Sequence, residues 1–239
     1  MFAKAVLITL LFIFCGHLIT YAQQFGEPYY IVGTKVDKTF YLLGTLDDYM
    51  GRHYPKNNPF KRSYVIVLHK NRIGEIRRIE EIVGKKFTKR KERDNCRNCQ
   101  DFYELKSRAL ARKVNHFYSF EKRTWKDLMG FHFYTGSLLC DKISIATEQQ
   151  QLSFIVGLFL TSGELQNEVY KITLFNSSDR FECAKTILMK LGAEITKEEI
   201  RQGEIPVGYF LEFKPSQKIK DAIAYDLKRK SELANKTAS

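Results

Sequence analysis

Two stretches of this chain, 108 positions apart, carry one pattern, and that spacing constrains the fold more than any other feature of the sequence. In the later stretch Tyr170, Ile172 and Leu174 alternate as in a half-buried strand, and Asn176-Ser177-Ser178-Asp179 leads into a helical run ending at Leu191. Asp179 suits an N-cap, Glu182 three residues on completes a capping box, and Gly192 can close the C-terminus. In the earlier stretch Tyr64, Ile66 and Leu68 supply the strand, Asn71 stands in the place of Asp179, and Ile73, Ile76, Ile79 and Val83 give an apolar helical face ending at Gly84. The same offset pairs the next strands, Phe102-Tyr103-Glu104-Leu105-Lys106 and Phe210-Leu211-Glu212-Phe213-Lys214.

Each copy also opens on an apolar segment with a mid-face glycine, Phe40 to Asp48 in the first and Phe154 to Gly163 in the second. Glycine lets two helices approach closely, so Gly44 and Gly157 are expected to meet where these helices cross. The unit reads helix, short strand or turn, strand, helix, hairpin, helix, with last helices near Arg108 to Val114 and Lys218 to Leu227. The chain is therefore expected to be an α+β protein of two diverged αββαββα repeats, residues 39–116 and 151–228, a monomer with internal pseudo-symmetry. Residues 117–150 join the copies, and their Trp125, Phe131, Phe133 and Tyr134 are expected to pack them together. A hydrophobic segment (1–23) and a linker (24–38) precede the repeats, and a polar tail (229–239) follows.

A chain of 239 residues with 44% hydrophobic composition can bury a core and is not compositionally disordered. Its net charge of +12 points to polyanions: nucleic acid, anionic lipid or acidic polysaccharide. Between Arg52 and Arg93 stand fourteen Lys or Arg against four acids, so one stretch carries most of the excess. A solvated surface has the same composition. Within the stretch, Arg52 to Arg62 mixes cations with aromatics, as nucleic-acid loops and soluble mobile loops both do, and Lys85 to Arg93 forms a second cluster. Nothing in the pattern indicates a small-molecule substrate.

The cysteines and the N-terminus leave the compartment open. Cys96 and Cys99 have thiol-redox spacing, but Asp94, Asn95, Arg97 and Asn98 around them read as loop rather than as the strand-to-helix turn that stabilises a thiolate. Cys140 and Cys183 stand alone with no nearby His, so a zinc site lacks its second pair. With Cys96 and Cys99 they make an even number that allows disulfides in an oxidising compartment. Lys4, the apolar run Ala5 to Leu18 and Ala22 have the form of a secretory signal cleaved before Gln23, which gives a secreted or periplasmic protein. The alternative starts from Glu27-Pro28-Tyr29-Tyr30-Ile31-Val32-Gly33 with Phe40-Tyr41, which resembles a segment near the last membrane helices of cytochrome b. That resemblance implies a host-exon remnant and a mitochondrial or other organellar location.

Ile155-Val156-Gly157-Leu158-Phe159-Leu160-Thr161-Ser162-Gly163 resembles the nine-residue motif of the LAGLIDADG proteins, the homing endonucleases and intron maturases. The strand Tyr170 to Leu174, the helix ending Lys190-Leu191-Gly192 and the strand from Tyr209 resemble the rest of their unit. The form Phe154, Gly157, Phe159-Leu160, Ser162-Gly163 is most similar to the sporulation-regulator WhiA branch, whose members resemble the endonucleases in fold but bind DNA without cutting it. The resemblance implies a saddle that lays its sheets along a nucleic acid, DNA or intron RNA. In the endonucleases the acid before the motif's last glycine binds a divalent metal such as Mg²⁺, one acid per copy. Here Ser162 holds that place in the second copy; in the first, Tyr49 holds it with Gly44 in register, and a shift of one residue brings in Asp48 and loses both glycines.

The resemblance thus makes Asp47 and Asp48 the candidate catalytic residues and Asp48 the candidate metal ligand, the alternative for both being surface carboxylates at a helix end. It implies phosphate contacts from Arg52, Lys56, Lys61, Arg62, Lys70, Arg72, Lys85, Lys86, Lys89, Arg90 and Lys91. Three readings follow: a nucleic-acid-binding protein with weakened or lost cleavage, an exported envelope protein that binds an anionic surface or a protein, and an active metal-dependent endonuclease.

Overall fold

In the computed structural model the described residues are 30–31, 34–46, 48–56, 63–89, 101–126 and 132–238. The signal or exon segment, Asp47, Lys61, Arg62, Arg90, Lys91, Cys96, Cys99 and Phe131 lie outside them. After a small antiparallel pair, β1 (Tyr30–Ile31) and β2 (Thr34–Lys35), the first repeat runs α1 (Lys38–Thr45), β3 (Arg52–Pro55), β4 (Tyr64–His69), α2 (Ile73–Val83), β5 (Thr88–Lys89), β6 (Phe102–Lys106) and α3 (Arg108–Asn115). A connection follows, made of β7 (Tyr118–Lys126), β8 (His132–Leu138) and α4 (Cys140–Ser144). The second repeat is α5 (Glu148–Ser162), β9 (Gly163–Gln166), β10 (Val169–Phe175), α6 (Ser178–Lys190), β11 (Glu194–Arg201), β12 (Gly208–Lys214) and α7 (Gln217–Ala238). The architecture is α+β, two diverged αββαββα repeats, as the spacing predicts.

The two sheets share one strand order and differ at one edge. In the second repeat the order is β11-β12-β10-β9, and in the first β5-β6-β4, with all neighbours antiparallel. The missing fourth strand of the first sheet is β3. In the second repeat Asn167 and Glu168, both at positive φ (49° and 64°), close β9 onto β10 in a tight turn. In the first, β3 pairs with β8 and not with β4, forming a separate sheet of order β3-β8-β7. The stretch expected to join the copies thus builds a third sheet, in which Tyr54 faces Tyr134 and Trp125 faces Phe133.

The pseudo-dyad runs between α1 and α5. Asp37 caps α1 by accepting from the backbone N–H of Thr39 and Phe40, and a Thr147/Gln150 capping box opens α5, so that helix starts before the motif predicts. At the crossing, a Cβ on Gly44 would collide with the carbonyl oxygen of Phe154 and lie 2.7 Å from the backbone nitrogen of Leu158. A Cβ on Gly157 would meet the Tyr41 carbonyl oxygen and lie 3.0 Å from its carbon. Only hydrogen fits at either place. The core around this contact is continuous through both repeats, with Leu42, Leu43, Phe154, Ile155 and Leu158 fully buried.

A second contact across the dyad comes from α7, which continues as helix through Ala238, across most of the stretch read as a polar tail. Its packing on α2 explains the extension: Gly74 lies against Lys230 and Ala234, and Arg229 and Lys230 pair with Glu81 and Glu75 at 2.5 and 3.2 Å. Beneath them Arg78, 1% exposed, donates to Asp226 at 2.7 Å, and the Tyr41 hydroxyl donates to the other oxygen of that carboxylate at 2.9 Å. Burial pushes the Asp226 carboxyl up while Arg78 opposes the shift, and burial followed by the Asp226 charge holds the Tyr41 phenol neutral. The predicted box of Asp179 and Glu182 is absent: Ser177 precedes α6, and Asp179 sits in its first turn. Gly84 and Gly192 end their helices at φ of 67° and 82°. Cys140 and Cys183, isolated in sequence, come together across α4 and α6 as free thiols. No helix among the described residues is long and apolar enough to cross a membrane.

Gly44→Ala or Gly157→Ala is expected to lower unfolding stability by about 1–3 kcal/mol in urea titration, since neither backbone can yield without parting the helices. Asp226→Ala, which strands the Arg78 charge in the core, is expected to cost about 3–5 kcal/mol.

Candidate functional site

The register that brings Gly44 onto Gly157 places Asp48 opposite Thr161 and Tyr49 opposite Ser162. The two helices end differently. In the second copy α5 continues to Ser162, whereas in the first α1 stops at Thr45 and the chain turns back through Asp48. Asp48 is 6% exposed. Its Oδ2 accepts from the Tyr118 hydroxyl and lies 3.5 Å from Arg180 Nη1, while its backbone carbonyl accepts from Ser177 Oγ at 2.8 Å. Burial and then the Asp48 charge raise the Tyr118 phenol well above its ordinary value, which keeps the hydroxyl a donor.

Arg180 is the functional residue that the sequence reading missed. It stands 108 positions after Arg72, and the two make the same contact across the dyad. Arg72 Nη2 donates to the carbonyl of Thr161 at 3.0 Å, at the C-terminal end of α5, and Arg180 Nη2 donates to the carbonyl of Gly44, at the end of α1. Each arginine begins the second helix of its own repeat and caps the first helix of the other, where exposed carbonyls favour a cation. Asp48 balances the buried Arg180, as Glu75 balances the more exposed Arg72 at 3.3 Å. Asp48, Tyr118, Ser177 and Arg180 border a recess of about 260 Å³.

A divalent-metal centre of the LAGLIDADG kind needs two converging carboxylates with free lone pairs. The described residues at the end of the helix pair do not fit one. Asp48 already serves Tyr118 and Arg180, the residue before the motif's last glycine in the second copy is Ser162, and among the described residues no three His, Cys, Asp or Glu side chains converge.

The expected phosphate contacts divide. Arg52 is turned inward, 9% exposed, donating to Asn115 Oδ1 at 2.6 Å and to the Val65 carbonyl at 3.2 Å. It holds β3, β4 and α3 together and is not placed to meet a phosphate. Arg72 serves the helix end. Lys70 is exposed and paired with Asp101 at 2.8 Å, Lys86 reaches Glu80 at 3.4 Å, and Lys56, Lys85 and Lys89 lie on the surface. The second sheet is balanced: Lys171 pairs with Glu212, Lys197 and Arg201 with Glu199, and Lys214 with Glu194. Further exposed cations stand on α3 and β7, namely Arg108, Arg112, Lys113, Lys122, Arg123 and Lys126. A charge count carried past Arg93 would have found them, since Lys106 to Lys126 holds seven Lys or Arg against one acid.

No protein-family model matches the chain, and no curated protein matches its sequence. Among solved structures it is similar to mesophilic variants of the homing endonuclease I-DmoI, at 16% identity over 79% of this chain and 94% of that one, with a TM-score of 0.46. It is similar also to I-DmoI in complex with DNA and Ca, at 16% identity over 79% of this chain and 86% of that one, with a TM-score of 0.37. Likenesses of this strength say nothing about chemistry, and the fold stands on the strand order and helix crossing above.

If Asp48 is a structural counter-ion, Asp48→Ala leaves Arg180 buried without its charge partner, and stability is expected to fall by about 3–5 kcal/mol. Asp48→Asn, which keeps an acceptor for Tyr118, is expected to lose less. A thermal melt in which Asp48→Ala matches or exceeds the wild type would instead mark Asp48 as a strained functional carboxylate.

Proposed function

We propose that this chain is a nucleic-acid-binding protein of LAGLIDADG-like architecture that holds duplex DNA through the basic surface of its first repeat and third sheet, without two-metal cleavage at the helix pair. The observation that carries this reading is the charge asymmetry. On the second sheet the lysines and Arg201 are matched by glutamates on the same strands or their neighbours, whereas α3 and β7 present Arg108, Arg112, Lys113, Lys122, Arg123 and Lys126 around the single acid Glu121. A surface kept charged for solubility alone has no reason to neutralise one half of a pseudo-symmetric molecule and leave the other basic. Phosphate neutralisation needs cations and tolerates any base sequence, so it supplies affinity before specificity.

The loss of two-metal chemistry in this proposal follows from the same residues. A carboxylate that balances Arg180 in the interior is already used, and releasing it to a metal would leave Arg180 unpaired. The helix pair then holds the repeats in register and does not cut.

Titration of the full chain against labelled duplex DNA between roughly 50 and 200 mM salt, with and without Mg²⁺, tests this reading. The expected log–log slope is steeper than about −4, from roughly five phosphate contacts at ~0.9 each, and unchanged by Mg²⁺. Lys122→Ser with Lys126→Ser should reduce it by about 2. A slope shallower than about −2 sinks the proposal. Mg²⁺-dependent nicking that disappears in Asp48→Asn would restore the metal centre.

A further inference from the structure

A wide recess lies away from the helix pair, between α3 and the third sheet. It has a volume of about 730 Å³ and is bordered by Arg108, Arg112 and His116 on one side and by Tyr54, Phe120 and Tyr134 on the other. The size is that of a small-ligand site. Its two walls differ in chemistry, and each is built rather than incidental.

The aromatic wall is fixed by the sheet. Tyr54 and Tyr134 are direct cross-strand partners, and Phe120 is partnered with Gly136, where an added Cβ would stand 2.8 Å from its ring. The missing side chain lets the Phe120 ring lie down on the strand, 5.5 Å centroid to centroid from Tyr54 at an interplanar angle of 54°. Three rings thus share one face of one sheet. Tyr54 reaches this face because β3 pairs with β8 and not within the first repeat's own sheet.

The cationic wall is distinguished by what its residues lack. Among the described residues every other arginine is held by a carboxylate, a carbonyl or a ring: Arg52, Arg72, Arg77, Arg78, Arg180, Arg201 and Arg229 by hydrogen bonds, and Arg123 over Trp125. Arg108 and Arg112 have no such partner, and both border this recess, one turn apart on α3. The floor is steadied from beneath, where Arg52 donates to Asn115 Oδ1. The one acid at the rim, Glu121, accepts from the Trp125 indole at 3.1 Å.

Unpartnered guanidiniums and aromatic rings bordering one recess match a ligand with one planar, stackable part and one anionic part. The geometry points to a site for a single unpaired nucleotide of a nucleic-acid strand, its base against Tyr54, Phe120 and Tyr134 and its phosphate on Arg108 and Arg112. This rests on the nucleic-acid reading above and adds to it, because duplex DNA exposes no base face and cannot fill the aromatic wall. Base stacking on aromatic side chains is indifferent to sequence, and the planar guanidinium fork suits phosphate oxygens. A bulge, a nick or a displaced strand beside the duplex would supply such a nucleotide, in DNA or RNA.

The test compares the full chain on three labelled probes: a plain duplex, the same duplex with one bulged thymidine, and single-stranded oligo(dT) or oligo(U). The expected result is at least tenfold tighter binding of the bulged than of the plain duplex, from stacking and the two phosphate contacts acting together. Arg108→Gln with Arg112→Gln, both exposed and remote from the core, should erase that preference and lower the single-strand salt slope by about 1.4, from two contacts at ~0.7 each. Lys197→Gln with Lys214→Gln, an equal loss of charge on the second sheet, should leave the preference intact. A photoreactive 5-iodo base at the bulge should crosslink to Tyr54, Phe120 or Tyr134. Oligo(dT) and oligo(U) separate a DNA strand from an RNA strand as the source, and tighter binding of either than of the plain duplex supports the site. Equal affinity for plain and bulged duplex, crosslinks only elsewhere, or free dTMP binding as tightly as the strand would each overturn it. Failure of the plain duplex alone to bind would sink the duplex reading, with the crosslink still deciding this one.

Discussion

Everything in this molecule depends on two glycines. Gly44 and Gly157 remove the side chains that would keep α1 and α5 apart, so the backbones touch and the helices can cross at the pseudo-dyad with one core running through both repeats. With helices this close, each end of the pair falls within reach of the other repeat's second helix. Arg72 and Arg180 use that reach to cap the opposite helix, and α7 and α2 close the far side through Arg78, Asp226 and Tyr41. A wider crossing would lose the arginine straps along with the glycine contact.

The same constraint explains why the helix ends hold counter-ions where a metal centre could have been. The strap from the second repeat buries its guanidinium almost completely, and a buried cation needs a partner. Asp48 is the carboxylate within reach, and it is fixed further by Tyr118 from the third sheet. The strap from the first repeat stays partly exposed and is balanced within its own helix by Glu75. The two halves have diverged in what they bury and in what they show to solvent. The second sheet neutralises its own cations, and the first repeat has given up a strand to a new aromatic and basic sheet.

The parts of this legible in sequence were those governed by local periodicity. The offset of 108 positions, the two glycines and the alternation of Tyr170, Ile172 and Leu174 determine the repeats, because each reflects a spacing that helices and strands impose on themselves. Tertiary contacts left weaker traces. Arg180 looked like one more cation in the first turn of a helix, although its match to Arg72 was there to be found. Arg52 resembled a phosphate ligand because a guanidinium that binds backbone carbonyls looks in sequence like one that binds phosphates. The extension of α7 to Ala238 depends on α2 lying alongside, and no local signal marks it. The pairing of β3 with β8 joins strands about 80 residues apart in sequence, and no local pattern marks it.

The central claim is that nucleic acid is held by one half of a pseudo-symmetric molecule. Amide hydrogen exchange of the full chain, followed by mass spectrometry with and without saturating duplex DNA, addresses it most directly. Protection confined to the first repeat's strands, α3 and the β7–β8 hairpin, with β9 to β12 unchanged, is the result the charge asymmetry predicts. Equal protection of β10 and β12 would contradict it, and would mean that the ion pairs of the second sheet open to bind phosphate as a symmetric saddle.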